Sequence, residues 1–82
     1  MDRRTLTEYL AQAERHVAES EHQIACQLEI IDELERSGQD TRTARDQLAH
    51  FEEMQGLHLA DRDRLRAELQ NYPPYRPKRG KG

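Results

Sequence analysis

Apolar residues in the first half of the chain recur with the period of an α-helix that packs along one stripe. One series repeats every seven residues and consists of Leu10, Val17, Ile24 and Ile31. A second, weaker series lies between these positions and consists of Leu6, Ala13, Ser20, Gln27 and Leu34. Written as a heptad repeat, the two series occupy positions a and d, the seam of a coiled coil. No glycine or proline precedes Ser37, so the pattern predicts a first helix over residues 5–36.

The start of this helix carries a capping signal. Thr5 and Glu8 have the spacing of a capping box, in which a hydroxyl and a carboxylate three residues later satisfy the first free backbone amides. We therefore expect the helix to begin at Thr5. Arg36 falls in the last turn, where a cation interacts favourably with the helix dipole.

A turn is predicted over residues 37–41, between the two helical patterns. Gly38 suits the left-handed residue that follows a helix C-terminus, and Asp40 or Thr41 suits the N-cap of the next helix. A connection this short makes the two helices antiparallel neighbours. The expected fold is therefore all-α, an antiparallel, coiled-coil-like hairpin of two helices.

The second helix is predicted over residues 41–70. Its inward series consists of Ala44, Leu48, Phe51, Gln55, His58, Arg62, Leu65 and Leu69. Gly56 costs about 1 kcal/mol relative to alanine inside a helix, so a weak point or a close contact is expected there. Two prolines at 73 and 74 end the helix, because a residue before proline avoids the helical region. Residues 1–71 are thus the hairpin, and residues 72–82 are a basic tail rich in proline and glycine.

Several large apolar residues lie beside the a and d series rather than in it. They are Leu28, Ile30, Met54, Leu57 and Leu59. Tyr9 and Ile30 fall at position g and Leu28 at position e, so the apolar stripe is wider than a two-helix contact requires. Two hairpins that meet as an antiparallel four-helix bundle would bury it in a closed two-fold dimer. We therefore expect a homodimer, with Leu28, Ile30, Met54, Leu57 and Leu59 at its interface.

Composition favours the same interpretation. Apolar residues make up 34% of the 82 residues and charged residues 35%, and tryptophan is absent. So short and polar a chain cannot fill a thick globular core, but it can fill a thin seam or a core shared between subunits. No window approaches a transmembrane span, and the N-terminal residues lack the apolar core of a signal peptide. We therefore expect a cytoplasmic protein that does not bind membranes.

Four polar residues interrupt the middle of the stripe, and they are His16, Ser20, His58 and Arg62. Polar groups on a buried stripe need hydrogen-bond partners. We favour a polar layer that fixes the register of the two helices, as a single buried polar residue does in coiled coils. The alternative is a pH-sensitive joint built on the two histidines.

The chain offers little for catalysis or metal binding. Glu19 and His22 have the Glu-x-x-His spacing of di-iron bundles, but both fall on the outer face, and the second helix has no matching pair. Cys26 is the single cysteine and also lies near the outer surface, which favours an ordinary thiol over a nucleophile or an intersubunit disulfide. We predict no catalytic residue, no metal and no cofactor.

The tail combines aromatic and basic residues, which are Tyr72, Tyr75, Arg76, Lys78, Arg79 and Lys81. Aromatic rings can stack on single-stranded bases while cations meet phosphates. Four cations give a modest, salt-sensitive attraction, and a solubilising tail has the same composition. We favour a solvated tail over a nucleic-acid arm.

Two stretches of the hairpin carry a further pattern. The first begins with ERHVAE at residues 14–19 and continues through Leu34-Glu35-Arg36 to Gly38 and Asp40-Thr41. The second comprises residues 51–55 and 59–65. Together they resemble a group of short, uncharacterised bacterial proteins over residues 14–69, with the tail outside the resemblance. The resemblance implies a bacterial origin and a shared structural role for His16 and Arg62, and no catalytic activity follows from it.

The expected function is that of a non-enzymatic interaction module, a homodimeric helical bundle that binds another protein through its helical faces. Its support is the apolar stripe, which is wider than one partner helix covers. The alternative is a nucleic-acid-associated protein that uses the basic tail in duplicate. A metal-dependent bundle enzyme is disfavoured, since Glu19 and His22 face outward.

Overall fold

The computed structural model describes residues 2–72 of the chain. Two helices make up this part, α1 over Arg3–Arg36 and α2 over Arg42–Gln70. The chain reverses between them, and the helices pack against each other. The predicted all-α hairpin is therefore confirmed. In this part of the chain, neither helix has a stretch that is long and apolar enough to cross a membrane.

The seam between the helices follows the predicted heptad positions. Every member of the two apolar series of α1 is buried or half-buried, and so is every member of the inward series of α2. The most enclosed apolar side chains are Leu6, Ala13, Val17, Ile31, Ala44 and Leu65. The d series looks weaker in the sequence because it includes the polar residues Ser20 and Gln27. It is nevertheless the better buried of the two series, and both of these polar residues are buried.

The core at the seam is thin. No side chain in residues 2–72 is completely enclosed, since a pair of helices covers each inward residue from one direction only. The apolar cluster at the open end of the hairpin contains Leu6, Ala13 and Leu65, with Leu10, Leu69 and Tyr72 packed against them. The hairpin therefore relies on the length of its two helices, rather than on the thickness of its core, to bury apolar area.

Helix α1 begins two residues earlier than its capping signal predicts. Asp2 is the N-cap, and its carboxylate accepts a hydrogen bond from the backbone N–H of Thr5 at 2.8 Å. The capping box of Thr5 and Glu8 is therefore not formed. Thr5 lies inside the first turn, and Glu8 pairs instead with Arg4 at 3.6 Å. An aspartate at the N-cap satisfies the free amides as well as a hydroxyl does, which is why the helix extends to it.

The turn forms around Gly38 as predicted. Gly38 has a φ of 71°, in the left-handed region that favours glycine. Its N–H donates to the carbonyl of Glu35 at 3.1 Å, and the N–H of Gln39 donates to the carbonyl of Leu34 at 2.8 Å. This pair of bonds is the Schellman motif, which satisfies the last carbonyls of α1 and turns the chain towards α2.

Of the two candidate caps, only Asp40 caps the start of α2 with its side chain. Thr41 occupies the N-cap position, but its hydroxyl makes no capping bond. Asp40 takes that role, since its carboxylate accepts from the backbone N–H of Arg42 at 2.9 Å and from the guanidinium of the same residue. Helix α2 therefore begins at Arg42, one residue after the predicted position.

Replacing each of the two glycines in the described residues by alanine should change the free energy of unfolding in opposite directions. Gly38→Ala should lower the free energy of unfolding by about 1 kcal/mol, because alanine is strained at a positive φ. Gly56→Ala should raise it by about 1 kcal/mol, since Gly56 is helical and a methyl group there meets no atom within 4 Å. Urea unfolding followed by circular dichroism measures both. Changes of the same sign would contradict the assigned turn.

Both capping carboxylates should make the hairpin sensitive to acid. The Thr5 backbone N–H holds the pKa of Asp2 below its ordinary 3.8, and hydrogen bonds from Arg42 do the same for the pKa of Asp40. Their stabilisation is present above the ordinary value and is lost as pH falls through the lowered pKa. The double variant Asp2→Asn/Asp40→Asn keeps the capping oxygens without the titration. Its helicity between pH 5 and 2, by circular dichroism, should fall less than that of the wild type, and superimposable curves would refute the assignment.

Candidate functional site

The hairpin has two long sides, because residues that flank the seam lie above or below the plane of the two helices. Position e follows d in the heptad and borders one of these sides, which we name the e side. Position g precedes a and borders the other, the g side. The two sides differ in where their ion pairs and exposed apolar residues lie.

Charged residues dominate the e side. Glu35 of α1 pairs with Arg45 of α2 near the turn. Glu14 pairs with Arg66 at 3.3 Å towards the open end. About half of each of these side chains remains exposed, so each pair contributes at most about 1 kcal/mol. Sequence reasoning missed both pairs, although opposite charges at the e positions of two antiparallel helices are the signal that reveals them.

The g side is apolar on its turn-proximal half, whereas towards the open end α2 carries Asp61 and Glu68, which both pair with Arg64. The g positions are Tyr9, His16, Gln23 and Ile30 in α1, and Gln47, Met54, Asp61 and Glu68 in α2. Tyr9 and Ile30 are each 47% exposed and Met54 is 38% exposed. Leu57, three residues after Met54 and on the same side of α2, is 61% exposed. The α1 row contains no aspartate, glutamate, lysine or arginine, whereas the α2 row contains two acidic residues.

The five residues predicted as one interface divide between the two sides. Ile30, Met54 and Leu57 lie on the g side and are exposed. Leu28 and Leu59 fall at e positions, beside the ion-paired residues. Leu28 is 50% exposed, whereas Leu59 is half-buried. A second hairpin can lie flat on one side of this molecule only, so the five cannot all meet the same partner.

The surface of the g side has two grooves. One of about 110 Å³ lies between the helices and is lined by residues that include Tyr9, His16 and Asp61. The other, of about 400 Å³, follows α2 near the turn and is lined by Gln47, Phe51 and three neighbours. Both are open surface grooves, unlike the enclosed clefts that hold small molecules.

The structure brings together two of the four residues predicted as a polar layer. The imidazole rings of His16 and His58 lie 5.1 Å apart, tilted by 48°, across the seam. The buried Ser20 hydroxyl donates to the carbonyl of Val17 at 2.7 Å, within its own helix. The guanidinium of Arg62 pairs with the adjacent Asp63 at 2.9 Å. Ser20 and Arg62 thus satisfy their polar groups locally rather than with a partner on the other helix.

Gln27 makes a cross-helix polar contact that sequence reasoning did not single out. Its side chain is 5% exposed. Its Nε2 donates to the backbone carbonyl of Ala44 at 2.9 Å and to Oε1 of Gln47 at 3.2 Å. The signal in the sequence is a glutamine at a d position between Ile24 and Ile31. A buried amide that bonds to one particular carbonyl favours one register of the two helices.

The outer face of α1 holds a contact between two potential metal ligands. The imidazole Nε2 of His22 lies 3.6 Å from the thiol Sγ of Cys26, one turn apart. Glu19, the other half of the Glu-x-x-His pattern, is exposed on the same helix. Residues 2–72 contain no group of three or more histidine, cysteine, aspartate or glutamate side chains placed to hold a metal ion.

The tail lies almost wholly outside the described residues. Tyr75, Arg76, Lys78, Arg79 and Lys81 all fall there. Tyr72 is described and half-buried, and it packs against the cluster of Leu6, Ala13 and Leu65. Part of its ring is therefore committed to the hairpin rather than free to stack on a base.

No protein-family model, curated protein or solved structure matches the chain. The resemblance to short bacterial proteins therefore stays a prediction.

The Gln27 contact predicts a difference between two substitutions. Gln27→Ala should lower the free energy of unfolding by about 2 kcal/mol, because it removes the packing of a buried side chain together with its hydrogen bonds. Gln27→Leu keeps most of the volume and should cost less than about 1 kcal/mol. Urea unfolding measures both, with Gln70→Ala at the exposed end of α2 as a control. A cost below about 0.5 kcal/mol for Gln27→Ala would show that this contact does not hold the seam.

Proposed function

We propose that the chain is a non-enzymatic protein-interaction module whose partner is a second copy of itself. Two hairpins pack through their g sides and form an antiparallel four-helix bundle. The observation that carries the proposal is the group of exposed apolar residues on the turn-proximal half of the g side, formed by Ile30, Met54 and Leu57.

Burial of apolar area favours the g side. Monomeric proteins rarely leave a contiguous apolar patch exposed unless it binds something. Two-fold symmetry doubles the gain, because each copy offers the same residues to the other. Fully burying one such side chain is worth about 1.5–3 kcal/mol, and roughly half of that remains to be gained at Ile30 and Met54.

The charges of the e side argue against its use. A partner on that side would remove water from Glu14, Glu35, Arg45 and Arg66, each of which is about half exposed. Desolvating an ion pair costs more than an exposed pair contributes. The hairpin therefore keeps this side in water and presents to its partner the turn-proximal half of the g side, away from the ion pairs of Arg64.

The polar groups of the seam support a structural role rather than a catalytic one. The Ser20 hydroxyl is taken up by a carbonyl of its own helix, and the Gln27 amide by Ala44 and Gln47. Within residues 2–72, no buried side-chain nitrogen or oxygen lacks a hydrogen-bond partner. A site that awaits a substrate has polar groups aimed into a cleft, whereas these are satisfied inside the hairpin.

Two residues on α1 provide a matched test. Ile30 lies on the g side and is 47% exposed, and Leu28 lies on the e side and is 50% exposed. Ile30→Glu should weaken self-association at least about tenfold, because it places a carboxylate inside the apolar contact. Leu28→Glu adds the same charge to the same helix and should change association by less than about threefold. Sedimentation equilibrium measures the dissociation constants.

Circular dichroism on both variants checks that each keeps its helices. A monomeric wild type at working concentrations would overturn the proposal. A dimer that Leu28→Glu disrupts and Ile30→Glu leaves intact would move the interface to the e side.

A further inference from the structure

The exposed apolar residues of the g side lie mainly on α2. Met54 and Leu57 are 38% and 61% exposed there. The half-buried Phe51 lies one helical turn closer to the hairpin turn and lines the groove of about 400 Å³. This stretch of α2 therefore has a groove at one end and two exposed apolar side chains at the other. A second copy that meets it in the opposite direction offers side chains where this copy has the groove.

The positions of α2 that face the g side are spaced symmetrically about residue 52. They are Thr43, Gln47, His50, Met54, Leu57 and Asp61. A two-fold axis perpendicular to α2 at residue 52 maps this row onto itself in reverse. Leu57 of one copy then lies opposite Gln47 of the other, and Met54 lies opposite His50.

Helix α1 contributes Ile30 to the same contact. Gln27 contacts Gln47 across the seam, and Ile30 follows Gln27 by one turn on the g side. Ile30 therefore lies level with the groove that Gln47 and Phe51 line. Leu57 of a second copy, placed opposite Gln47, enters a layer that already holds both apolar side chains.

We propose that the two copies overlap through the turn-proximal halves of their g sides, with their open ends pointing away from each other. This arrangement rests on the proposed function, since it specifies how two copies of the interaction module meet. Leu57 of each copy fills the groove beside Phe51 of the other. The two copies of Met54 lie on either side of the two-fold axis and close to it.

The ion pairs near the open end argue against the alternative, in which the axis runs parallel to the helices and the hairpins align along their whole length. That alignment covers Asp61 and Glu68, which both pair with Arg64. Removing water from such pairs costs more than they contribute. With the axis at residue 52, Arg64 lies at the edge of the overlap and Glu68 lies beyond the turn of the second copy. The ion pairs of Arg64 then keep their access to water.

The overlap is large enough for a stable dimer. It extends about 20 Å on each side of the axis, because about 13 residues at 1.5 Å each separate residue 52 from the turn. Two helices side by side are about 20 Å wide, so the contact covers about 800 Å² of each copy. That area is typical of one partner in a stable protein complex.

Pulsed electron paramagnetic resonance on spin-labelled chains tests the arrangement. One label is placed at the turn with Ser37→Cys and another sample is labelled at the open end with Gln70→Cys, both in a Cys26→Ser background. We expect about 40 Å between the two turns of a dimer and about 55 Å between the two open ends. Hairpins aligned along their whole length would give less than about 25 Å for both.

A pair of substitutions on α2 tests the register without labels. Leu57→Glu should weaken self-association at least about tenfold, because it places a carboxylate in the groove. Adding Gln47→Lys should restore association at least about threefold, since the two new charges face each other between copies. Within one chain they are ten residues apart, about 15 Å, and do not pair. Gln70→Lys adds the same charge outside the overlap and should not restore association. Sedimentation equilibrium measures each dissociation constant, and circular dichroism checks that helices are retained.

The outcomes separate this arrangement from the proposed function. A wild type that stays monomeric at working concentrations overturns both. A dimer with less than about 25 Å between turns and between open ends overturns the arrangement and leaves the interaction module standing. Long distances without rescue by Gln47→Lys, or equal rescue by Gln70→Lys, overturn the register at residue 52. Long distances together with selective rescue support the arrangement.

Discussion

Two helices can bury only a thin layer of apolar side chains between them, and the rest of this structure depends on that limit. A pair of helices packed side by side gives each inward residue cover from one direction, so the seam of this hairpin is a single layer. Even Leu6 and Leu65, among its best-buried residues, remain 3% exposed. Long helices and well-capped helix ends compensate for the limited stability that the thin core provides. Asp2 caps α1, and the Schellman turn at Gly38 joins it to a second helix whose first amide is capped by Asp40.

Polar residues inside the seam reduce its apolar area further. Ser20 and Gln27 occupy two of the most buried positions of α1, and the rings of His16 and His58 meet across the middle. The Gln27 amide bonds to one particular carbonyl of α2, so it makes one register better than its neighbours. Apart from Leu28, the large apolar residues that the seam leaves exposed lie on the g side, while the charges that pair across the seam lie on the e side. This asymmetry is the physical basis for proposing that the hairpin is half of a larger bundle.

Much of this fold is predictable from the sequence. Every residue of the predicted inward series is buried or half-buried, because the period of the helix alone decides which residues face inward. Gly38 marks the turn, because its left-handed conformation suits few other residues. The start of α1 is less predictable, since Asp2 and Thr5 are both good caps and the choice between them depends on small energies. The division of the predicted interface is visible only once two helices are paired, because that pairing separates Ile30 from Leu28.

The contacts of individual side chains are the least predictable part. Ser20 bonds within its own helix and Arg62 pairs with its neighbour Asp63, although the stripe suggests partners on the facing helix. Long or rotatable side chains have several partners within reach, and periodicity does not choose among them. The 3.6 Å contact of His22 with Cys26 is of the same kind. Spacing permits it, and only the rotamers of both residues bring the two atoms together.

The dependence of thermal stability on protein concentration tests the central claim most directly. Circular dichroism melts over roughly a 100-fold range of concentration, with a chelator present to exclude metal, compare a hairpin that folds alone with one that needs a second copy. If two hairpins share one core, the midpoint should rise by several degrees across that range, because dissociation accompanies unfolding. A midpoint that does not move with concentration would show that the hairpin is a complete fold and contradict the account.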